Sequence, residues 1–203
     1  MPIIVLEGIN GAGKSTAGTR ICEALGNEGK YCVLVDAAGY GRIGRLLRTQ
    51  IVRPEVQSTP DFDAMLFGTL RVEGALRILK TLQREPRTII LLERWSLALG
   101  AYGTADGARP GLISELRTVL DGALAIDATI LLDVSGRIAF KRIESEAGEN
   151  RFESKGPEFL DRVAEEHRKL ALSMTGVAVI DATSSIEVTF DRVFATVRSK
   201  LEI

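Results

Sequence analysis

The chain has 203 residues, 45% of them hydrophobic, which suits a single domain with a substantial core. A formal net charge of −1 and a pI near 6.0 give no electrostatic footprint for non-specific nucleic-acid or anionic-membrane binding. No run approaches the roughly 18 apolar residues of a membrane-spanning helix, and the opening MPIIVLEG lacks the pattern of a signal peptide, so a cytoplasmic protein is expected.

In chain order, residues 3–7 (IIVLE) read as a buried strand, followed by a glycine-rich loop and a helix from about Ser15 to Leu25. KYCVLVD (30–36) reads as a second strand and RIGRLLRTQI (42–51) as a short helix, with a connection around Pro54 and Pro60. Over 61–83, apolar residues such as Phe62, Met65, Leu66, Leu70 and Leu79 recur at helical spacing, which predicts one long helix bent at Gly68 or Gly74. TIILLE (88–93), ATILLDV (128–134) and VAVIDA (177–182) complete the strands, and helical patterns cover 110–122, 136–147, 157–174 and 185–201. Cys22 and Cys32 fall on a helical and a strand-like pattern without metal-ligand spacing, and are expected to be buried thiols of a reducing cytosol. The sole histidine, His167, lies among charged neighbours on an amphipathic helix and is expected at a solvated position.

Continuously apolar strands separated by helices indicate a parallel sheet covered on both faces, a three-layer α/β domain. Right-handed crossovers then bring the strand ends to one edge of the sheet. Residues 7–14, 36–41, 93–96, 133–136 and 181–184 are expected to line one crevice there.

Gly8 to Ser15 fits the phosphate-loop pattern G-x-x-x-x-G-K-[ST], with a strand before it and a helix after it. Gly8, Gly11 and Gly13 let the backbone turn its N–H groups inward, and the helix start adds its positive dipole end. The loop through Asn10, Ala12, Lys14, Ser15 and Thr16 is therefore expected to hold the phosphates of ATP. Lys14 would reach the terminal phosphates and Ser15 would offer its hydroxyl to Mg²⁺. In LLERWS (91–96), Glu93 emerges from an apolar strand, placed to bind Mg²⁺ through water or to polarise an acceptor, and Arg94 can neutralise phosphate charge during transfer.

With these residues in place the chain resembles the thymidylate kinase family of nucleoside monophosphate kinases over nearly its whole length. LEGINGAGKST is similar to that family's phosphate loop, and LLERW stands where the family has Asp-Arg-Tyr or Asp-Arg-His. AMLFGTLR (64–71) resembles the helix segment whose phenylalanine stacks on thymine, which implies Phe67 and Arg71 as acceptor ligands one turn apart. The resemblance implies strand order 2-3-1-4-5 and a single domain with a mobile lid at about 143–157, in which NRFE resembles the lid motif. It also implies catalytic roles for Arg142 and Arg151, adenine contacts from backbone around Ala182 and Thr183, a small-molecule nucleotide acceptor and a homodimer.

The departures from the family pattern concentrate on the acceptor side. Asn10 stands where the family presents a carboxylate to the sugar, and VDAAGYGR lacks the family's arginine until Arg42. The helix carrying Arg42, Arg45 and Arg48 offers a replacement. Tyr102-Gly103 lacks the family's glutamine, and Glu93 and Trp95 replace smaller or differently polar residues. These changes leave two other readings open. One is a nucleoside kinase using Asp36 as general base for a sugar hydroxyl. The other is a phosphate-loop switch or ATPase with no small acceptor.

Overall fold

Five apolar segments pair in parallel: β1 (Ile3–Glu7), β2 (Cys32–Asp36), β3 (Ile89–Glu93), β4 (Ala128–Asp133) and β5 (Val177–Asp181). Their order is β2-β3-β1-β4-β5, as expected. The computed structural model describes residues 2–82, 85, 87–143 and 150–202. Around the sheet lie α1 (Lys14–Asn27), α2 (Gly41–Ile51), α3 (Pro60–Leu82), α4 (Ser96–Asp106), α5 (Pro110–Ala123), α6 (Gly136–Ile143), α7 (Pro157–Ser173) and α8 (Ile186–Leu201). Asp36 pairs with Glu93, Glu7 with Leu131 and Asp133 with Asp181, so the carboxyl ends of the strands finish level at one edge.

The central strands β1 and β3 are buried at every position, whereas β2 and β5 at the rims are partly exposed. Alternate residues of β1 serve opposite layers, as the two-residue period of a strand requires. Ile4 and Leu6 cluster with Ile21 and Leu25 of α1 and with Val193 and Val197 of α8. Ile3 and Val5 cluster with Ala75 and Ile78 of α3 and with Leu120 of α5. Each side chain so enclosed contributes roughly 1.5–3 kcal/mol relative to exposure, which is why these strands read as unbroken apolar runs.

Three features differ from expectation. Helix α4 was not anticipated, because SLALGAYGTAD is apolar around its circumference and has no amphipathic period; it is enclosed by α3, α5 and α7. Helix α3 is continuous through both glycines, and Gly74 permits a close packing contact that the sequence did not suggest. A Cβ there would lie 1.8 Å from the carbonyl oxygen of Ala37, in the 3₁₀ turn Ala37–Gly39 that follows β2. Cys22 and Cys32 are half-buried and joined as a disulfide, with Cα atoms 4.9 Å apart, instead of being buried thiols. The contact arises because α1 lies over the edge strand, which spacing along the chain does not reveal. Of the expected helical stretches, Gln83 and residues 144–147 lie outside the described residues.

Candidate active site

The loop between β1 and α1 turns through positive φ at Gly8 (138°), Gly11 (76°) and Gly13 (90°), a conformation open mainly to glycine. Lys14 is buried, and its Nζ donates to the carbonyl of Ile9 at 2.7 Å. Burial, and then the charge of Arg94, push its pKa well below the usual lysine value, against the opposing carboxylates of Glu93 and Glu7. A cation held this way gains strongly from an anion brought beside it. Together with the buried Lys14, residues Asn10, Gly11, Ala12, Gly13, Ser15 and Thr16 line a cleft of about 610 Å³, in which Ser15 is exposed and Thr16 lies at its wall.

The opposite side of this cleft collects residues from separate segments. Phe67 and Arg71 come from α3, Asp36 and Arg48 from the β2–α2 region, Glu93 and Arg94 from the end of β3, and Tyr102 from α4. The Arg71 guanidinium lies 5.7 Å from the Phe67 ring centroid, and its buried Nη1 has no hydrogen-bond partner among the described residues. Burial lowers its pKa to about 10, while Glu7 and Asp36 work to raise it. A buried, unsatisfied guanidinium nitrogen facing a cleft suits the capture of an anion.

Arg94 has φ 61°, rare for a residue with a side chain. Two hydrogen bonds hold the strained turn: Arg94 N–H to Leu6 O at 3.0 Å, and Trp95 N–H to the buried carboxylate of Glu7 at 2.8 Å. The turn aims the Arg94 guanidinium at the amide oxygen of Asn10. Burial works against the charge on Arg94, yet Tyr102 and the carboxylates of Asp36, Glu93 and Glu7 outweigh it and keep the pKa above its ordinary value.

Several expected positions are redistributed. Arg42 and Arg45 are exposed on α2, and Arg48 on the inner side lines the cleft, paired with Asp36 at 2.7 Å. Arg151 does not line the cleft. It is buried, bonding Asp63 at 2.6 Å and the carbonyl of Ile51, and stacked 4.4 Å from the Phe152 ring. Arg142 lines the cleft and ties the phosphate loop to the terminal segment, donating to Gly11 O at 3.4 Å and Ala182 O at 3.0 Å. In that segment Ala182 is buried and Thr183 bonds Asp181, so Ser184, Ile186 and Thr189 are the residues that face the cleft. His167 is buried, not solvated, because α7 packs its histidine face on α4 and α6. Its Nδ1 meets Val163 O at 3.0 Å and burial lowers its pKa to about 3. Six positions of the expected lid, 144–149, lie outside the described residues.

No group of three or more metal-ligating side chains is present among the described residues. The Ser15 hydroxyl and Glu93 carboxylate do line one cleft, and such a sparse oxygen donor set fits Mg²⁺, which keeps several waters and takes substrate phosphates as ligands.

The profile described as Thymidylate kinase matches residues 6–193. The chain belongs to the thymidylate kinase family. It is 27% identical over 203 residues to the "Thymidylate kinase" of Legionella pneumophila strain Paris, covering 98% of this chain and 93% of that protein. It is 28% identical over 188 residues to that of strain Corby, covering 91% and 88%. As a member of the thymidylate kinase family the chain is a phosphotransferase of the nucleoside monophosphate kinase class. Among thymidylate-kinase positions that sequence reasoning passed over, Glu153 reaches the cleft and accepts from Asn10 Nδ2. Its signal was the final letter of NRFE, overshadowed by the arginine two residues before it.

Proposed function

We propose that the chain transfers the γ-phosphoryl group of ATP to dTMP with Mg²⁺, in the cytoplasm where ATP is supplied. The observation that carries this reading is one cleft joining the phosphate loop to the Phe67–Arg71 pair, with Arg94 between them and Asp36 already engaged by Arg48. An acceptor that carries phosphate needs cations around it, whereas a sugar alcohol needs a free base. Asp36 accepts from Ala38 N–H at 3.1 Å as well as from Arg48, which argues against its use as that base.

In this mechanism Lys14 and the loop amides hold the donor phosphates, while Ser15 and Glu93 would hold Mg²⁺, which when bound would offset phosphate charge. An oxygen of the acceptor phosphate attacks the γ-phosphorus while the bond to the β,γ-bridging oxygen breaks, leaving ADP. Arg94 and Arg142 stabilise the charge spread over the transferring group, and Arg71 with Phe67 holds the acceptor. Arg151 supports the turn 150–156 that covers the cleft, as part of a lid, by anchoring it to Asp63. Exposed Ile43, Leu46, Phe62 and Met65 along α2 and α3 support a homodimer, which sedimentation velocity tests.

The deciding experiment is a product screen of ribo- and deoxynucleoside monophosphates and nucleosides with ATP, using Lys14→Ala as control. Formation of dTDP that disappears in the control supports the reading. Hydrolysis of ATP without a phosphorylated acceptor refutes it.

A further inference from the structure

Asn10 divides its amide among three neighbours. Its Oδ1 accepts from Arg94 and, at 2.9 Å, from the Tyr102 hydroxyl, while its Nδ2 donates to Oε1 of Glu153. Its backbone N–H donates to the same hydroxyl at 3.0 Å. This arrangement needs a group that accepts on one side and donates on the other, which an amide does and a carboxylate does not. An aspartate at position 10 would satisfy Arg94 and Tyr102, but it would place a second negative charge within hydrogen-bonding distance of Glu153.

Glu153 is also held firmly. The preceding Arg151 is fixed to Asp63 at 2.6 Å, and Phe152 packs edge-on against Phe67 and Tyr102 with ring centroids 5.9 and 6.0 Å away. The carboxylate is thus delivered to the acceptor side of the cleft by a packed turn, which suits recognition more than a free side chain would.

Resting on the thymidylate kinase reading above, we propose that Glu153 supplies the carboxylate that recognises a sugar hydroxyl of the acceptor, and that Asn10 is the neutral residue holding it there. Positions 10 and 153 together carry one negative charge. The hydroxyl donates to the carboxylate of Glu153. The uncharged Asn10 oxygen also grips Arg94 less strongly than a carboxylate, leaving that guanidinium free to turn to the acceptor phosphate. It follows that an aspartate at position 10, although it matches the family pattern, impairs this chain unless Glu153 is neutralised as well.

The test compares wild type, N10D, E153Q and N10D/E153Q in steady-state transfer to dTMP and to its 3′-deoxy analogue, with KM for ATP measured alongside. N10D is expected to lower kcat/KM for dTMP at least about tenfold, through the acceptor KM, with KM for ATP within about twofold. E153Q lowers it similarly and narrows the preference for dTMP over the 3′-deoxy analogue. The double variant, with one carboxylate fewer than N10D, recovers over N10D at least about threefold, while equal urea midpoints of N10D and the double variant show that the recovery is not one of folding. An N10D enzyme as good as wild type, or a double variant no better than N10D, overturns the pairing. A wild type that phosphorylates no nucleoside monophosphate overturns the kinase reading itself, a separate outcome. If another monophosphate is the acceptor, it takes the place of dTMP in the same comparison.

Discussion

Replacing Gly74 by alanine adds a single methyl group at the closest approach between α3 and the turn after β2. The new Cβ would stand 1.8 Å from Ala37 O and 2.8 Å from its carbonyl carbon, both backbone atoms that no rotamer change can move aside. Restoring an ordinary contact requires α3 to retreat by more than about 1 Å, and because backbone has to move the cost falls at the upper end of the usual overpacking range, about 3 kcal/mol. Alanine's better helix propensity returns about 1 kcal/mol, leaving a net loss of about 2 kcal/mol. For a domain of this size that lowers Tm by about 4–8 °C. Arg71 and Phe67 lie one and two turns before Gly74 on the same helix, so they shift with it. A displacement of about 1 Å can cost up to about a hundredfold in a positioned reaction. Differential scanning calorimetry and acceptor kinetics on one preparation check both halves. A G74A protein that melts within about 1 °C of wild type with unchanged acceptor KM would refute the claimed apposition.

Other perturbations probe separate parts of the molecule. Arg71→Ala removes a buried charged donor and is expected to raise acceptor KM about 10- to 100-fold while KM for ATP changes less than about twofold; equal effects on both substrates argue against the assigned pocket. Asp63→Ala strands the buried guanidinium of Arg151, whose side chain is 8% exposed, and should cost about 3–5 kcal/mol in urea unfolding. A purely catalytic Arg151 would leave that stability unchanged. His167 has its pKa lowered by burial to about 3, so below its unfolded value near 6.5 the unfolded chain takes up a proton that the folded chain does not. Its contribution is therefore full above about pH 6.5 and declines as pH falls towards 3. His167→Phe is expected to abolish about 2 kcal/mol of wild type's loss between pH 7 and pH 5, measured as the difference between their urea midpoints.

Much of the architecture could be read from residue order because the strands are apolar along nearly their whole length, the central ones being buried on both faces. The phosphate loop was equally readable, since its backbone conformation demands glycine at fixed positions and those glycines are local. What escaped reading depended on contacts across the fold. Helix α4 gave no period because most of its circumference is apolar and packed against α3, α5 and α7. Arg48 and Arg42 are both basic residues on one short helix, and only the docking of α2 decides which faces inward. Arg151 reads as a lid arginine over the cleft and His167 as solvated, yet packing of the turn on α3 and of α7 on α4 buries them. The Cys22–Cys32 pairing has the same origin, a helix lying over an edge strand.

The two sides of the cleft differ in how they are encoded. The donor side is one unbroken stretch, Gly8 to Thr16, whose dihedral angles depend on one another, so single changes there disturb the whole cradle. The acceptor side gathers side chains from α3, the β2–α2 region, the end of β3, α4 and the turn at 150–156, each on its own backbone support. Substitution of one residue at a time can therefore reshape that side without disturbing the others. The loop has no such freedom, because its linked dihedral angles make its residues one unit.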